Sequence, residues 1–457
     1  MTFDVAIVGG GASGVLCAIH LLRAGGVPLR IALIEKAGEP GAGIAYSTRR
    51  PEHLLNVVAG RMSVIDADPE HFMRYLAAQA VPGTSTDTPA TVFAERRQYA
   101  AYLRATLAHE RARSTSRLQV IGDEIVAIEP EDELHLVSRA GHTLRARHAI
   151  LALGNWPRDL SISFGAGVPA AAVLQGWDFT AIAGIDLDED VLIAGSGLSM
   201  VDAVLTLTAN RHRGKVHVVS RHALLPLPHA RHGAVDVDID ALSRLPLAQR
   251  VATLRRLARE AASRGEPWQW VMDTLRGENA HLWQTLSSSD QARFLRHASR
   301  YWDVHRHRIA PQAAAVVDAM LRSGRLTRHA GRIASVAPCG ERVRVDIDLA
   351  RAGGSASIVI DRLVNCIGMQ KDLGRVPDDL VSALLRRGAV RRGPHGIGLD
   401  TDAAGALIDA GGRADPRLST LGSVRIGRLW ESVAIPELRV QAALLAERVG
   451  RRLTSGP

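Results

Sequence analysis

Two glycine-rich turns occupy the same local setting in this chain, each between an apolar run and a helical one. FDVAIVGGGASGVLCAIHLL carries Gly9, Gly11 and Gly14, and DVLIAGSGLSMVDAVLTL carries Gly195 and Gly197. The runs 3–8 and 191–194 read as buried parallel strands that must end on glycine and pass at once into a helix. Gly9 and Gly11 allow the tight turn and let backbone approach a pyrophosphate, while Gly14 lets the following helix pack on the sheet. The helix N-terminus then offers unpaired amides and the positive end of its dipole to an anion. Ser13 adds a hydroxyl donor. One such turn is a weak signal; two predict a chain built to hold two nucleotides at once.

An acidic residue closing the second strand of such a unit accepts hydrogen bonds from a ribose 2'-hydroxyl. Glu35 stands there, 35 − 9 = 26 positions beyond Gly9, followed by Lys36. The first site is therefore expected to take an adenosine with a free ribose hydroxyl. In the second unit the equivalent strand, 215–219, ends in Ser220, Arg221 and His222, with no carboxylate. A carboxylate would repel a 2'-phosphate and a guanidinium can bind it, so Arg221 points to NADP(H) over NAD(H). An ordinary solvated arginine is the alternative.

At 457 residues there is room for two nucleotide domains with their own cores. The net charge of +9 and pI of about 10.1 invite a nucleic-acid reading. Against it, Lys36, Lys215 and Lys371 are the only lysines, and the arginines are spread along the chain instead of forming a patch, so no nucleic-acid partner is expected. The one cluster, RYWDVHRHR at 300–308, suits either an anionic ligand or a structural ion-pair network. Cys17, Cys339 and Cys366 are far apart and form no Cys-x-x-Cys pair, so they read as small residues in a reducing compartment. The chain opens on a core strand and no apolar run is long enough to cross a bilayer, so a cytoplasmic location without a membrane partner is expected.

Between the turns the first unit carries a long irregular stretch, GAGIAYSTRRPEHLLNVVAGRMSV, helical patterns at 71–80 and 96–109, and strands at 118–128, 134–138 and 143–153. The last ends in LALGNWP. The second unit repeats this order and ends in LVNCIG, with an added helical segment over 238–324 whose Trp268, Trp270, Trp283 and Trp302 read as core. Residues 398–457 are too few to stand alone and are expected to return to the first unit, with Pro436 opening a helix that faces the first nucleotide site. The predicted fold is α/β: two Rossmann-like dinucleotide-binding domains, the second inserted into the first, with a helical insertion in the second. The boundaries are 1–160 plus 369–457 for one domain and 161–368 for the other.

These residues together resemble the two-dinucleotide-domain flavoproteins, most closely a bacterial FAD/NAD(P)-binding group similar in layout to flavin-containing and N-hydroxylating monooxygenases. The resemblance covers essentially the whole chain, through GGGASG with Glu35, GAGIAYS with HLLNVVAGRMS, LALGNWP, GSGLSMVD, VNCIGM and WESVAIPELRVQA. It implies FAD along Gly9 to Gly14 and Glu35, with adenine near Ile125, Gly154 by the linker between domains and Asn56 near the isoalloxazine. It implies NADPH on Gly195, Gly197, Ser199 and Arg221. Two departures stand out: the usual Gly-Asp near the C-terminus is Gly422-Ser423, and the Phe-x-Gly-x-x-x-His fingerprint of some monooxygenases is missing before the second turn.

The chemistry implied begins with hydride transfer from nicotinamide to flavin. A monooxygenase would then pass oxygen to a small-molecule substrate through a flavin C4a-hydroperoxide; a reductase would pass electrons to another acceptor; a sensor would bind both nucleotides without turnover. No catalytic side chain is assigned. His53, His305 and His307 are the candidate histidines, each with a structural alternative, and Asn56 suits hydrogen bonding, since an amide does not titrate.

Overall fold

The computed structural model describes residues 2–79, 91–350 and 353–454. In chain order its strands are β1 (Thr2–Val8), β2 (Arg30–Ile34), β3 (Arg117–Ile121), β4 (Ile125–Pro130), β5 (Leu134–Ser138) and β6 (Thr143–Leu151). There follow β7 (Ser163–Phe164), β8 (Val173–Gln175), β9 (Val191–Ala194), β10 (Val216–Ser220), β11 (Leu326–Cys339), β12 (Arg342–Leu349), β13 (Ser355–Ile360) and β14 (Arg362–Asn365). The last two are β15 (Ala406–Ile408) and β16 (Ala414–Thr420).

They form two sheets. The first runs β15-β16-β6-β1-β2-β3, parallel from β16 to β3, with the antiparallel β4–β5 arm joined to β6. The second runs β13-β12-β11-β10-β9-β14-β8, parallel from β11 to β8, with β12 and β13 added as an antiparallel meander. The α/β class and the paired Rossmann-like sheets are as the sequence predicts, and every strand of the second sheet lies between strands of the first in the chain.

Strand alternation explains why the central strands read as unbroken apolar runs. Val5, Ile7, Ile31, Leu33 and Ile150 point into one core with the helices Ala12–Arg23, Arg96–Arg113 and Ile435–Thr454. Their neighbours Ala6, Val8, Ala32, Ile34, Ala149 and Leu151 point into a second core under the β4–β5 arm and the helix Asp379–Arg386. Both faces are covered, so both sets must be apolar. The second sheet does the same, with Ile193 and Val218 on one face and Leu192 and Val219 on the other.

The C-terminal segment returns as expected: β16 pairs with β6, and the helix Ile435–Thr454 shares a core with Cys17 through Leu438, Ala442 and Leu445. Two expectations are corrected. The run 118–128 is two strands, because the chain turns away after β3 and re-enters as β4 in the arm. The helical run at 71–80 is observed as His71–Ala78, Ala80 lying outside the described residues. Residues 238–324 are helical from Ile239–Arg244 to Pro311–Arg322. Trp283 is a core residue there, Trp268 and Trp302 are half-buried and pack against the core, and Trp270 lies half-buried under Arg231. No helix among the described residues is long and apolar enough to cross a membrane.

Candidate functional site

The first glycine turn is fixed by collisions that only glycine avoids. Gly9 has φ +104°, and a Cβ there would sit 2.3 Å from the Ala152 carbonyl oxygen; a Cβ on Gly14 would sit 1.9 Å from that of Gly9. The turn is thus pressed between β6 and its own helix, Ala12–Arg23, whose N-cap Gly11 supplies no side-chain cap. The first-turn amides have no side-chain acceptor, which is the condition for anion binding. Gly11 is roomier, its nearest neighbour being the Gly43 Cα at 3.5 Å from a built Cβ. Ser13 lies beside Gly422, 3.1 Å from Oγ to a Cβ built there.

Glu35 closes β2 as expected, half-buried, and it also braces the turn: Oε2 accepts from the Gly10 amide at 2.7 Å and Oε1 from the Ala37 amide at 3.1 Å. Lys36 is exposed, 3.9 Å from Glu124, and Ile125 is buried at the start of β4. At the C-terminal departure, Ser423 Oγ donates to the Gly154 carbonyl at 2.6 Å, so the hydroxyl that replaces a carboxylate ties the return segment to the linker.

The second turn repeats the first. Gly195 has φ +100°, a Cβ there would sit 2.3 Å from the Cys366 carbonyl oxygen, and Gly197 caps the helix Leu198–Ala209 without a side-chain bond. Nothing lies within 4 Å of a Cβ built on Gly197. Ser199 Oγ accepts from the Trp177 indole at 3.0 Å. Arg221 is exposed and makes no hydrogen bond or ion pair among the described residues. Beside it, Arg300 reaches in from the helical insertion and donates to the Ser196 and Leu224 carbonyls at 3.0 and 2.9 Å. That contact binds the insertion to the turn.

A cavity of about 300 Å³ is lined by both units. Tyr46, Leu55, Asn56 and Met62 line it from the irregular stretch of the first unit, and Trp177, Phe179, Leu198 and Ser199 from the second. Arg276, Arg306, His307 and Arg308 enter from the insertion, and Glu431, Ala434, Ile435 and Glu437 from the return segment. The helix Ile435–Thr454 begins at this cavity. The two units are joined across it by Arg96 and Asp202, a two-pronged ion pair at 2.7 and 2.9 Å.

Of the expected residues, the cavity brings together Asn56 and Ser199, while Gly154 lines a small adjoining pocket with Asn155, and Asn155 reaches both. Glu35, Lys36, Ile125 and Arg221 do not line it, and neither do Gly9, Gly11, Ser13, Gly14, Gly195 and Gly197.

Two of the three candidate histidines are structural. His53 is fully buried, its ring bonded to Thr48 Oγ1 at 2.8 Å and to Thr206 Oγ1 at 2.9 Å, and burial pushes its pKa down. His305 bonds the Tyr301 carbonyl at 2.7 Å. His307 alone lines the cavity, 3.7 Å from Asp303, with its pKa lowered by burial.

The 300–308 cluster resolves into ion pairs: Arg306 with Glu431 at 2.6 Å and Glu437 at 3.5 Å, and Arg308 with Asp273. Sequence reasoning missed Arg276, Trp177 and Phe179, which carry no local motif. Glu431 and Glu437 sat within WESVAIPELR without being singled out.

Residues 6–156 match a family described as FAD-NAD(P)-binding. No curated protein sequence matches the chain. The fold is similar to that of ornithine N-hydroxylase from Kutzneria sp. 744, solved with reduced FAD, NADP+ and L-ornithine: TM-score 0.67 at 15% identity, over 99% of this chain and 100% of that one. It is similar to the reduced form of ornithine hydroxylase from Pseudomonas aeruginosa, with TM-score 0.69 at 16% identity over 99% and 100% of the two chains. It is also similar to bacillithiol disulfide reductase from Staphylococcus aureus, with TM-score 0.58 at 14% identity over 100% of both chains. Residues 6–156 thus match an FAD-NAD(P)-binding family, within a two-sheet α/β fold that runs the full length of those hydroxylases and that reductase.

Proposed function

We propose that the chain is an FAD-dependent, NADPH-using oxidoreductase that acts as a monooxygenase on a small molecule. Residues 1–160 with 369–457 form the FAD domain and 161–368 the NADPH domain. The observation that carries the reading is the shared cavity, walled at once by Asn56 from the first unit and by Leu198 and Ser199 at the second glycine turn.

The residues fit the two groups. Both helix N-termini lack a side-chain cap, and both turns admit only glycine at the crossing point, so backbone amides are open to a pyrophosphate. Gly9, Gly11, Ser13 and Gly14 would hold the FAD pyrophosphate, Glu35 and Lys36 its adenosine ribose, and Ile125 its adenine. Gly154 and Asn56 would sit along the rest of FAD, and Gly195, Gly197, Ser199 and Arg221 would hold NADPH. When bound, the flavin supplies hydride acceptance and oxygen chemistry.

The chain's own part is to bring two ring systems together and to keep water away from them. Tyr46, Leu55, Met62, Trp177, Phe179 and Ile435 make the walls apolar, and the helical insertion covers them from the polar end. The start of Ile435–Thr454 turns its positive dipole end toward the cavity, which favours a developing negative charge there. Asn56 fixes orientation by hydrogen bonding, with its own backbone held through the His229 ring at 3.0 Å. The three free cysteines accord with a cytoplasmic enzyme.

Purified protein tests this directly. It should be yellow, be bleached anaerobically by NADPH, and give a transient absorbing species distinct from oxidised and reduced flavin on mixing with O2. Rapid NADPH-driven reduction of artificial acceptors, with no such species and no oxygenated product, would establish the reductase instead. Colourless protein that takes up no FAD would refute both.

A further inference from the structure

The polar end of the cavity carries more cationic donors than the protein itself satisfies. Arg308 is 1% exposed; Asp273 holds its Nη2, while Nε and Nη1 are buried without a partner. Arg306 is 4% exposed, paired through Nη2 to Glu431 and Glu437, and its Nε is also unpartnered. Arg276 makes no hydrogen bond or ion pair among the described residues, and its buried Nε is unpartnered as well. Burial lowers its pKa only to about 10, so it stays a cation at neutral pH.

Asp273 is taken by Arg308, and Glu431 and Glu437 are both taken by Arg306, so the three acids close on two arginines and Arg276 is left with no acid in contact. A half-buried cation without a counterion in contact is costly, and Arg276 is such a cation on the wall of this cavity.

We propose that Arg276, Arg306 and Arg308 form a subsite for a monoanionic group of the substrate, a carboxylate by size and charge. The inference rests on the oxidoreductase reading for the word substrate, but the anion site stands on geometry alone. A planar carboxylate offers two oxygens with in-plane lone pairs, which is what guanidinium donors converging from separate turns recognise. The rest of such a molecule extends toward the apolar wall of Tyr46 and Phe179, which suits a carboxylic acid with a short apolar or aromatic body. A phosphate of the dinucleotide is the other source of an anion at this wall.

Calorimetric titration of the purified protein with benzoate, acetate, benzamide and inorganic phosphate tests the subsite without any turnover. Benzoate should bind and its neutral isostere benzamide should not, and Arg276→Gln should weaken benzoate at least tenfold. Arg276 lacks an ion-pair partner, so its removal strands no acid, and an unchanged thermal midpoint will show that the fold is intact. The paired variant Arg308→Met/Asp273→Leu, which leaves neither charge behind, should weaken benzoate similarly. The NADPH concentration giving half-maximal flavin reduction, measured in Arg276→Gln, separates a substrate subsite from a coenzyme phosphate site.

The proposal is overturned by no heat with either carboxylate, by equal binding of benzamide, or by benzoate binding unaffected in Arg276→Gln, whether or not the NADPH requirement rises. Phosphate binding in preference to benzoate would likewise assign the arginines to the coenzyme. Colourless protein that still binds benzoate would remove the flavin reading and leave the anion site standing.

Discussion

The Arg96–Asp202 pair is the sharpest test of how the cavity is held. Arg96 opens the helix Arg96–Arg113 of the first unit and Asp202 lies in Leu198–Ala209 of the second, with side chains only 12% and 8% exposed. Its two parallel bonds, at 2.7 and 2.9 Å, are joined by Nε donating to the Leu54 carbonyl at 3.0 Å. Unit charges about 4 Å apart at an effective dielectric of about 20 attract by about 4 kcal/mol, and removing one partner of a buried pair typically costs about 3–5 kcal/mol. Much of that cost is the charge left behind. Arg96→Met should therefore lose about 3–4 kcal/mol and Asp202→Leu about 2–3 kcal/mol. The double variant, which strands no charge, should lose no more than the worse of the two, so the costs should fall short of additive by at least about 2 kcal/mol. Urea unfolding read by tryptophan fluorescence, with flavin release followed in parallel, measures this. Costs that add to within about 0.5 kcal/mol, or single losses below about 1 kcal/mol, would mean that water screens the pair and that it does not join the units.

Three further outcomes follow from positions already described. Gly14→Ala drives a Cβ to 1.9 Å from a backbone oxygen and should abolish folded, flavin-bearing protein, whereas Gly11→Ala, with 3.5 Å of room, should stay folded with a reduced flavin-to-protein absorbance ratio. Arg221→Ala should lower the preference for NADPH over NADH about tenfold, equivalent to about 1.4 kcal/mol, without moving the thermal midpoint, because the side chain is exposed and unpaired. Burial, helped by Arg308, pushes the His229 pKa down to about 4. The neutral ring is the folded form, so its stabilisation is full above pH about 6.5 and declines as pH falls toward 4. Screening at this half-buried site brings the loss to about 1–2 kcal/mol. His229→Gln should shrink the difference in urea midpoint between pH 7 and pH 4.5, and an unchanged difference would locate acid sensitivity elsewhere.

What the sequence made legible was local. The two glycine turns, the β-α-β order and the helical character of 238–324 each depend on residues within a few positions of one another. The break at Gly122 between β3 and β4 was missed because the two apolar pieces run on in sequence, and only their partners tell them apart, β2 for β3 and the arm strand β5 for β4. The cavity was largely illegible for the opposite reason: Tyr46, Trp177, Arg276, Arg308 and Glu437 come from five distant segments, and no spacing connects them. His53 shows the limit from the other side. It stood next to the right loop, but its ring faces Thr206 and serves the junction between the sheets.

Glu431 has a consequence for how such a protein can diversify. Its two oxygens take the Trp302 indole at 2.7 Å, the Asn279 amide at 2.8 Å and Arg306 at 2.6 Å, so one carboxylate from the C-terminal stretch is satisfied only by the helical insertion. Trimming or exchanging that insertion would abandon a naked anion in the interior. The segment cannot be treated as a removable cassette, and a new specificity is better sought by altering individual side chains on its inner wall than by changing its length.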